Sequence, residues 1–238
     1  MSLVVVMPAY NAARHVTGVL ERLESLPQGL LSRVIVVDDG STDDTALAVT
    51  AAGFAVAPLE LVRRPRNGGY GAAMKDGLAA AVSRGAQTVA CVHADGQYSP
   101  EVLPGLAATL QRRRLDLLQG SRIASGTAKS GGMPLYKRAA NALLNRVENR
   151  TLGLGMTDYH SGYLVYGARA LLLPWASLSN SFDFDLEVIA CARARGLQVG
   201  EAPIPTHYGD EVSHLNPLTY GLRVLRVMYN YRRGRYAA

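Results

Sequence analysis

Asp38 and Asp39, and further along Asp95 and Gln97, offer hard oxygen ligands of the kind that hold Mg²⁺ or Mn²⁺ and, through the metal, the oxygens of a phosphate. They stand in glycine-containing turns: Asp39-Gly40-Ser41-Thr42-Asp43 and His93-Ala94-Asp95-Gly96-Gln97, with a third such turn at Arg66-Asn67-Gly68-Gly69-Tyr70-Gly71. Without a Cβ, a glycine lets backbone N–H groups come close to a ligand. A nucleoside diphosphate with its metal suits both features. Any one of these segments alone reads as a turn and a helix cap. Their recurrence after several separate apolar runs is what points to a site. No Walker-type lysine stands in a glycine-rich loop and no G-x-G-x-x-G follows the first run, so neither a P-loop enzyme nor a dinucleotide-binding dehydrogenase is supported.

The elements that must hold these residues are legible as apolar runs of strand length alternating with helical patterns. Strands are expected at 3–7, 34–37, 56–62, 88–92 and 115–118, with helices near 12–25, 43–52, 71–84 and 99–113. The runs show no polar alternation, which predicts a mostly parallel sheet covered on both faces. In such sheets the ligand crevice lies beyond the carboxyl ends of the strands, where the polar turns fall. Past residue 120 a Gly/Ser/Thr-rich stretch to 132 reads as a mobile loop. A helix near 134–150, a strand at 161–166, a helix near 184–195, a strand at 198–202 and a last helix near 217–233 follow.

The chain has 238 residues, 48% hydrophobic and 18% charged, which is globular composition sufficient for one core. Cys91 and Cys191 are too few for a disulfide scaffold and read as reduced buried thiols, which favours the cytoplasm. The net charge of +6 is concentrated: Arg223, Arg226, Arg232, Arg233 and Arg235 all follow the last acidic residue, Glu211. This is a basic tail rather than a nucleic-acid footprint. The N-terminal run lacks the features of a signal peptide, and no window is apolar enough to span a bilayer.

Taken together, Pro8-Ala9-Tyr10-Asn11, Val36-Val37-Asp38-Asp39-Gly40-Ser41-Thr42-Asp43, Arg66-Asn67-Gly68-Gly69-Tyr70-Gly71 and Ala94-Asp95-Gly96-Gln97 resemble the successive motifs of family 2 glycosyltransferases of the GT-A fold. Gly120-Ser121-Arg122, Lys137-Arg138-Ala139-Ala140-Asn141, Thr157-Asp158-Tyr159-His160-Ser161-Gly162-Tyr163 and Glu201-Ala202-Pro203-Ile204-Pro205 are similar to the dolichyl- and polyprenyl-phosphate sugar synthase branch. The resemblance covers roughly residues 3–215. It implies an α/β, Rossmann-like, mostly parallel sheet flanked by helices over 1–215, with 216–238 a basic amphipathic helix packed on or extending from it.

The resemblance also implies roles. Asp38 and Asp39 would hold the nucleoside against a wall of Pro8, Ala9 and Tyr10, with Asn67, Gly68, Gly69, Ala94 and Arg122 also on the donor. Asp95 and Gln97 match the metal motif, whose first acid is replaced by His93; an imidazole there either shifts preference toward Mn²⁺ or leaves the metal to Asp95, Gln97 and water. Arg138, Asp158, Ser161, His207, Tyr208, Ser213 and His214 match acceptor and phosphate positions, the two histidines standing where arginine and lysine are usual. Asp185 and Glu187 match acids near the acceptor, one of which would serve as base toward a hydroxyl. A phosphate acceptor needs no base, and both acids also suit the first turn of a helix.

The expected reaction is inverting, metal-dependent transfer of a hexose from a GDP- or UDP-sugar to a polyprenyl phosphate. A soluble hydroxyl or glycan acceptor and a non-catalytic nucleotide-sugar module are the alternatives. The final helix, with Leu218, Leu222, Leu225, Val227 and Met228 among arginines and tyrosines, reads either as a core-packing helix or as a contact with an anionic membrane surface, here the inner face of the cell membrane.

Overall fold

The computed structural model describes residues 3–124, 135–205 and 217–237, with side chains of the last two segments described from 142 and 219 onward. The loop expected at 120–132 therefore falls, from residue 125, outside the described residues. The first strands form as expected: β1 (Leu3–Ala9), β2 (Leu31–Asp38), β3 (Leu59–Arg63) and β4 (Thr88–Cys91). Helices α1 (Val16–Glu24), α2 (Thr45–Ala51), α3 (Tyr70–Ser83) and α4 (Leu103–Arg112) intervene. The second half supplies β5 (Leu117–Ser121), α5 (Leu135–Leu152), β6 (Leu164–Gly167), α6 (Phe184–Ala194), β7 (Val199–Pro203) and α7 (Pro217–Arg232).

These strands make one seven-stranded sheet in the order β3-β2-β1-β4-β6-β5-β7. All neighbours are parallel except β6, which runs antiparallel to both β4 and β5. Because β6 is reversed, its leading segment arrives at the rim where β1 to β5 end. Residues on both sides of each strand are apolar for a simple reason. Val4, Val6, Ile35 and Val37 face a core closed by α3, α5, α6 and α7, while Leu3, Val5, Met7, Val34 and Val36 face α1, α2 and α4.

Several boundaries differ from expectation by a few residues, and two of them bear on the site. The helix expected from residue 12 starts at Val16, because Asn11 adopts φ 50° and the next two N–H groups bond to side chains of another loop. Strand β5 runs on through Gln119-Gly120-Ser121, polar residues that read as loop but are fully buried between β6 and β7.

Candidate active site

The rim over β3, β2, β1 and β4 is built by three loops bonded to one another. Register sets Ala9 opposite Asp38 and Asp38 opposite Arg63. Asp38 is buried, with Oδ1 accepting the Ser41 N–H at 2.9 Å and Oδ2 3.7 Å from Arg63 Nε. Asp39, also buried, accepts the N–H groups of Gly68 at 3.0 Å and Gly69 at 2.9 Å and pairs with Arg64, which reaches Asp76 at 2.8 Å. The two acids thus have different local roles, and Asp39 anchors the loop after β3. Asn67 Oδ1 closes that loop by accepting the Gly69 N–H at 3.0 Å.

Asn11 accepts the Thr42 N–H at 2.9 Å, and Asp43 accepts the Ala13 N–H at 3.1 Å. Burial works to raise the Asp43 carboxyl, but hydrogen bonds from Thr45 and Ala13 hold it below the ordinary carboxylate range. On this rim Tyr10 is 48% exposed, Pro8 is half-buried, and Ala9 and Ala94 are buried. The glycines at 68, 69 and 71 are used differently from expectation. The N–H groups of Gly68 and Gly69 are spent on Asp39, and a Cβ on Gly69 would lie 2.5 Å from Asn180 O, so the room they open is filled by the chain itself.

After β4, His93 is held in an aromatic stack rather than turned to a shared ion site. Its Nε2 is 3.2 Å from Gly162 O, and its ring stacks on Tyr70 at 5.4 Å and meets the edge of Tyr98 at 5.3 Å. Asp95 uses Oδ1 to accept the Gln97 N–H at 3.0 Å, leaving Oδ2 without a donor among the described residues. No three His, Cys, Asp or Glu side chains among the described residues are grouped to hold an ion. Asp95 with Gln97 therefore fits as an incomplete oxygen set that diphosphate oxygens and water would complete, while His93 has its Nε2 committed at the Gly162 carbonyl.

Behind His93 lies Asp185, 4% exposed in the first turn of α6. Tyr70 donates to its Oδ2 at 2.7 Å, and Oδ1 is buried with no partner. Burial drives this carboxyl from 3.8 up to about 7, against the opposing effect of the Tyr70 hydrogen bond. Glu187 lies apart from it in function, accepting the Ser179 N–H at 2.5 Å and the Tyr236 hydroxyl at 2.7 Å.

The opposite bank comes from β5 and the segment before β6. Arg122 makes a bidentate pair with Asp158, Nε to Oδ2 at 2.7 Å and Nη2 to Oδ1 at 3.0 Å. Burial would raise the Asp158 carboxyl, but Arg122 holds it below its usual value. Ser161 is buried and bonds Gly120 O at 2.6 Å, so it shapes the backbone here. His160 donates its N–H to Asp158 at 2.9 Å and sets Nδ1 2.8 Å from Tyr220 OH of α7; its Nε2 lies 3.2 Å from fully buried Glu148, without the alignment of a hydrogen bond. The Arg138 side chain and His207, Tyr208, Ser213 and His214 lie outside the described residues.

Residues 4–172 match the family model described as Glycosyl transferase family 2. The chain is a family 2 glycosyltransferase. The glycosyltransferase is 30% identical over 232 residues to a low-salt glycan biosynthesis hexosyltransferase of Haloferax volcanii, covering 95% of this chain but 53% of that protein. It is 26% identical over 216 residues to the UDP-N-acetylglucosamine–dolichyl-phosphate N-acetylglucosaminyltransferase of Methanococcus voltae, covering 85% and 84%. Other relatives are named for dodecaprenyl- and undecaprenyl-phosphate products or acceptors. The fold of this glycosyltransferase is that of Mycobacterium tuberculosis glucosyl-3-phosphoglycerate synthase in complex with Mn²⁺, uridine diphosphate and phosphoglyceric acid, at TM-score 0.68 and 19% identity over 97% of this chain and 78% of that one. The expected α/β class, GT-A type and enzyme family are thus borne out.

Sequence reasoning missed Arg64, Tyr70 as the partner of Asp185, Glu148 and Tyr220. Arg64 carried a usable signal, since it closes the strand beside the acid pair. The other three act through contacts distant in the chain and carried none.

Proposed function

We propose that this glycosyltransferase transfers a hexose, with inversion, from a nucleoside diphosphate sugar to a polyprenyl phosphate. The observation that carries the reading is the convergence on one rim of Asp38 from β2, Asp95 from β4 and Arg122 from β5. Asp38, with Tyr10, Pro8 and Ala9, would bind the nucleoside. Asp95 and Gln97 would hold a divalent metal, which when bound neutralises charge on the departing diphosphate. Arg122, fixed by Asp158, would set one planar cation against phosphate oxygens. A phosphate monoester is already anionic, so it can attack the anomeric carbon in line without losing a proton to the protein. The names of the relatives support the acceptor class.

A second reading, a hydroxyl acceptor, is favoured by one observation: the Asp185 carboxyl at about 7 is poised to take a proton near neutrality. Turnover of GDP- and UDP-hexoses with Mn²⁺ or Mg²⁺, with and without polyprenyl phosphate, tests both. Asp95→Ala is expected to abolish transfer. Asp185→Asn is expected to be nearly silent with polyprenyl phosphate; wild-type turnover only with a hydroxyl acceptor, lost about a hundredfold or more in kcat in Asp185→Asn, would transfer the case to the hydroxyl reading.

A further inference from the structure

Helix α7 has two dissimilar faces. Val224, Val227 and Met228 are buried in the core shared with α5 and α6. On the other side Leu222 is 69% exposed, Tyr229 61% and Leu225 47%, three large apolar side chains that the helical repeat sets on one outward face. Arg223, Arg226, Arg232 and Arg233 are exposed beside them, and α7 carries no acidic residue. Arg233 lies over the Tyr229 ring at 5.9 Å, while Arg226 and Arg232 have no acidic partner among the described residues. Bare leucines are costly in water, and with Arg226 and Arg232 beside them they match a surface that is anionic outside and apolar just beneath.

We propose that the outward face of α7 is a docking surface for an anionic lipid bilayer. The charge decides against a second copy of the chain, because a symmetric contact would set arginines against arginines with no acid on the helix to pair them. The exposed leucines decide against a nucleic acid, whose phosphate backbone offers them nothing to bury against. The buried side of the same helix reaches the candidate site through Tyr220, which bonds His160, whose N–H is held by Asp158. Docking by the outer face would therefore hold the Arg122–Asp158 bank one helix diameter, ~10 Å, from the lipid surface. This deepens the lipid-phosphate reading and rests on it for its purpose.

The test floats the full chain with vesicles of phosphatidylcholine alone or mixed with phosphatidylglycerol, at low and high salt, beside the variants Leu222→Glu/Leu225→Glu and Arg226→Gln/Arg233→Gln. Binding is expected only to the anionic vesicles and to weaken with salt. The arginine pair is expected to lower partitioning about 30-fold. Both variants are expected to keep transfer to a short-chain, water-soluble polyprenyl phosphate while losing it to a vesicle-embedded one. Absence of flotation, equal binding to neutral vesicles, undiminished binding of both variants, or preferential binding to duplex RNA would overturn the proposal. Flotation without transfer to any polyprenyl phosphate would sink the acceptor reading and leave the docking face standing; soluble transfer without flotation would do the reverse.

Discussion

The two halves of the sheet treat buried polar groups in opposite ways. Around β1 to β4, Asp38, Asp39 and Thr45 are buried and partnered, Asp38 within its own loop and Asp39 and Thr45 on neighbouring ones. Every described buried side-chain atom that lacks a hydrogen-bond partner belongs instead to residues from Gln119 to Asp185, among them both oxygens of Glu148, Oδ1 of Asp185 and the Tyr166 hydroxyl. The first half is a closed set of contacts that fixes the rim over β1 to β4. The second half holds charge in places where burial works against it. The contrast implies that removing a partnered polar group should destabilise either half, whereas removing one of the unpartnered groups of the second half should relieve it.

The largest effect expected is from Asp39→Ala, which strips two N–H groups and Arg64 of their shared partner; urea unfolding should show a loss of about 3–5 kcal/mol. A loss below about 1 kcal/mol would break the comparison at its stronger end. Arg122→Ala sharpens it from within the second half, because Asp158 is 2% exposed and would be left as an uncompensated charge. A cost of about 3 kcal/mol is expected there at neutral pH. The native pair's contribution is full above the unfolded carboxyl value and lost as pH falls below it, whereas the unpaired Asp158 of the variant loses stability as pH rises above that value.

Asp185→Asn should move the other way. A carboxyl raised to about 7 in the folded chain contributes fully below its unfolded value of 3.8, and that contribution is lost as pH rises through 7. The asparagine variant should therefore gain on the native chain between pH 5 and pH 8, by on the order of 1–2 kcal/mol, as read by melting temperature across that range. A gap independent of pH would refute the assignment. The smallest effect is Glu148→Gln, expected to be neutral or to stabilise by about 1 kcal/mol in thermal unfolding, since its oxygens accept no hydrogen bond that the amide would forfeit.

The same division governs how much could be read from the chain. The rim over β1 to β4 was legible because apolar runs give way to Asp38-Asp39 and, a few residues on, to Asp95, and the parallel crossovers set β2 and β4 on either side of β1 with their ends on one rim. What the glycines do there was not, since only the fold brings Asn180 against Gly69. In the second half Gln119-Gly120-Ser121 looks like a loop because its strand pairing comes from β6 and β7 and its side-chain bonds from Thr157 and Ser161, all far along the chain. Asp185 was singled out by its motif, but its burial behind Tyr70 and Gly162 depends on packing between α3, α6 and the segment before β6.

The reversed strand β6 also sets an order of assembly. Strands β1 to β4 pair through consecutive crossovers and can form as the chain emerges, but the free edge of β4 is covered only when Ala90 meets Val165. Until then β4 offers unpaired N–H and C=O groups to any other nascent chain. A product truncated before residue 164 would keep that edge open, and aggregation rather than a half-sized soluble domain is its expected fate.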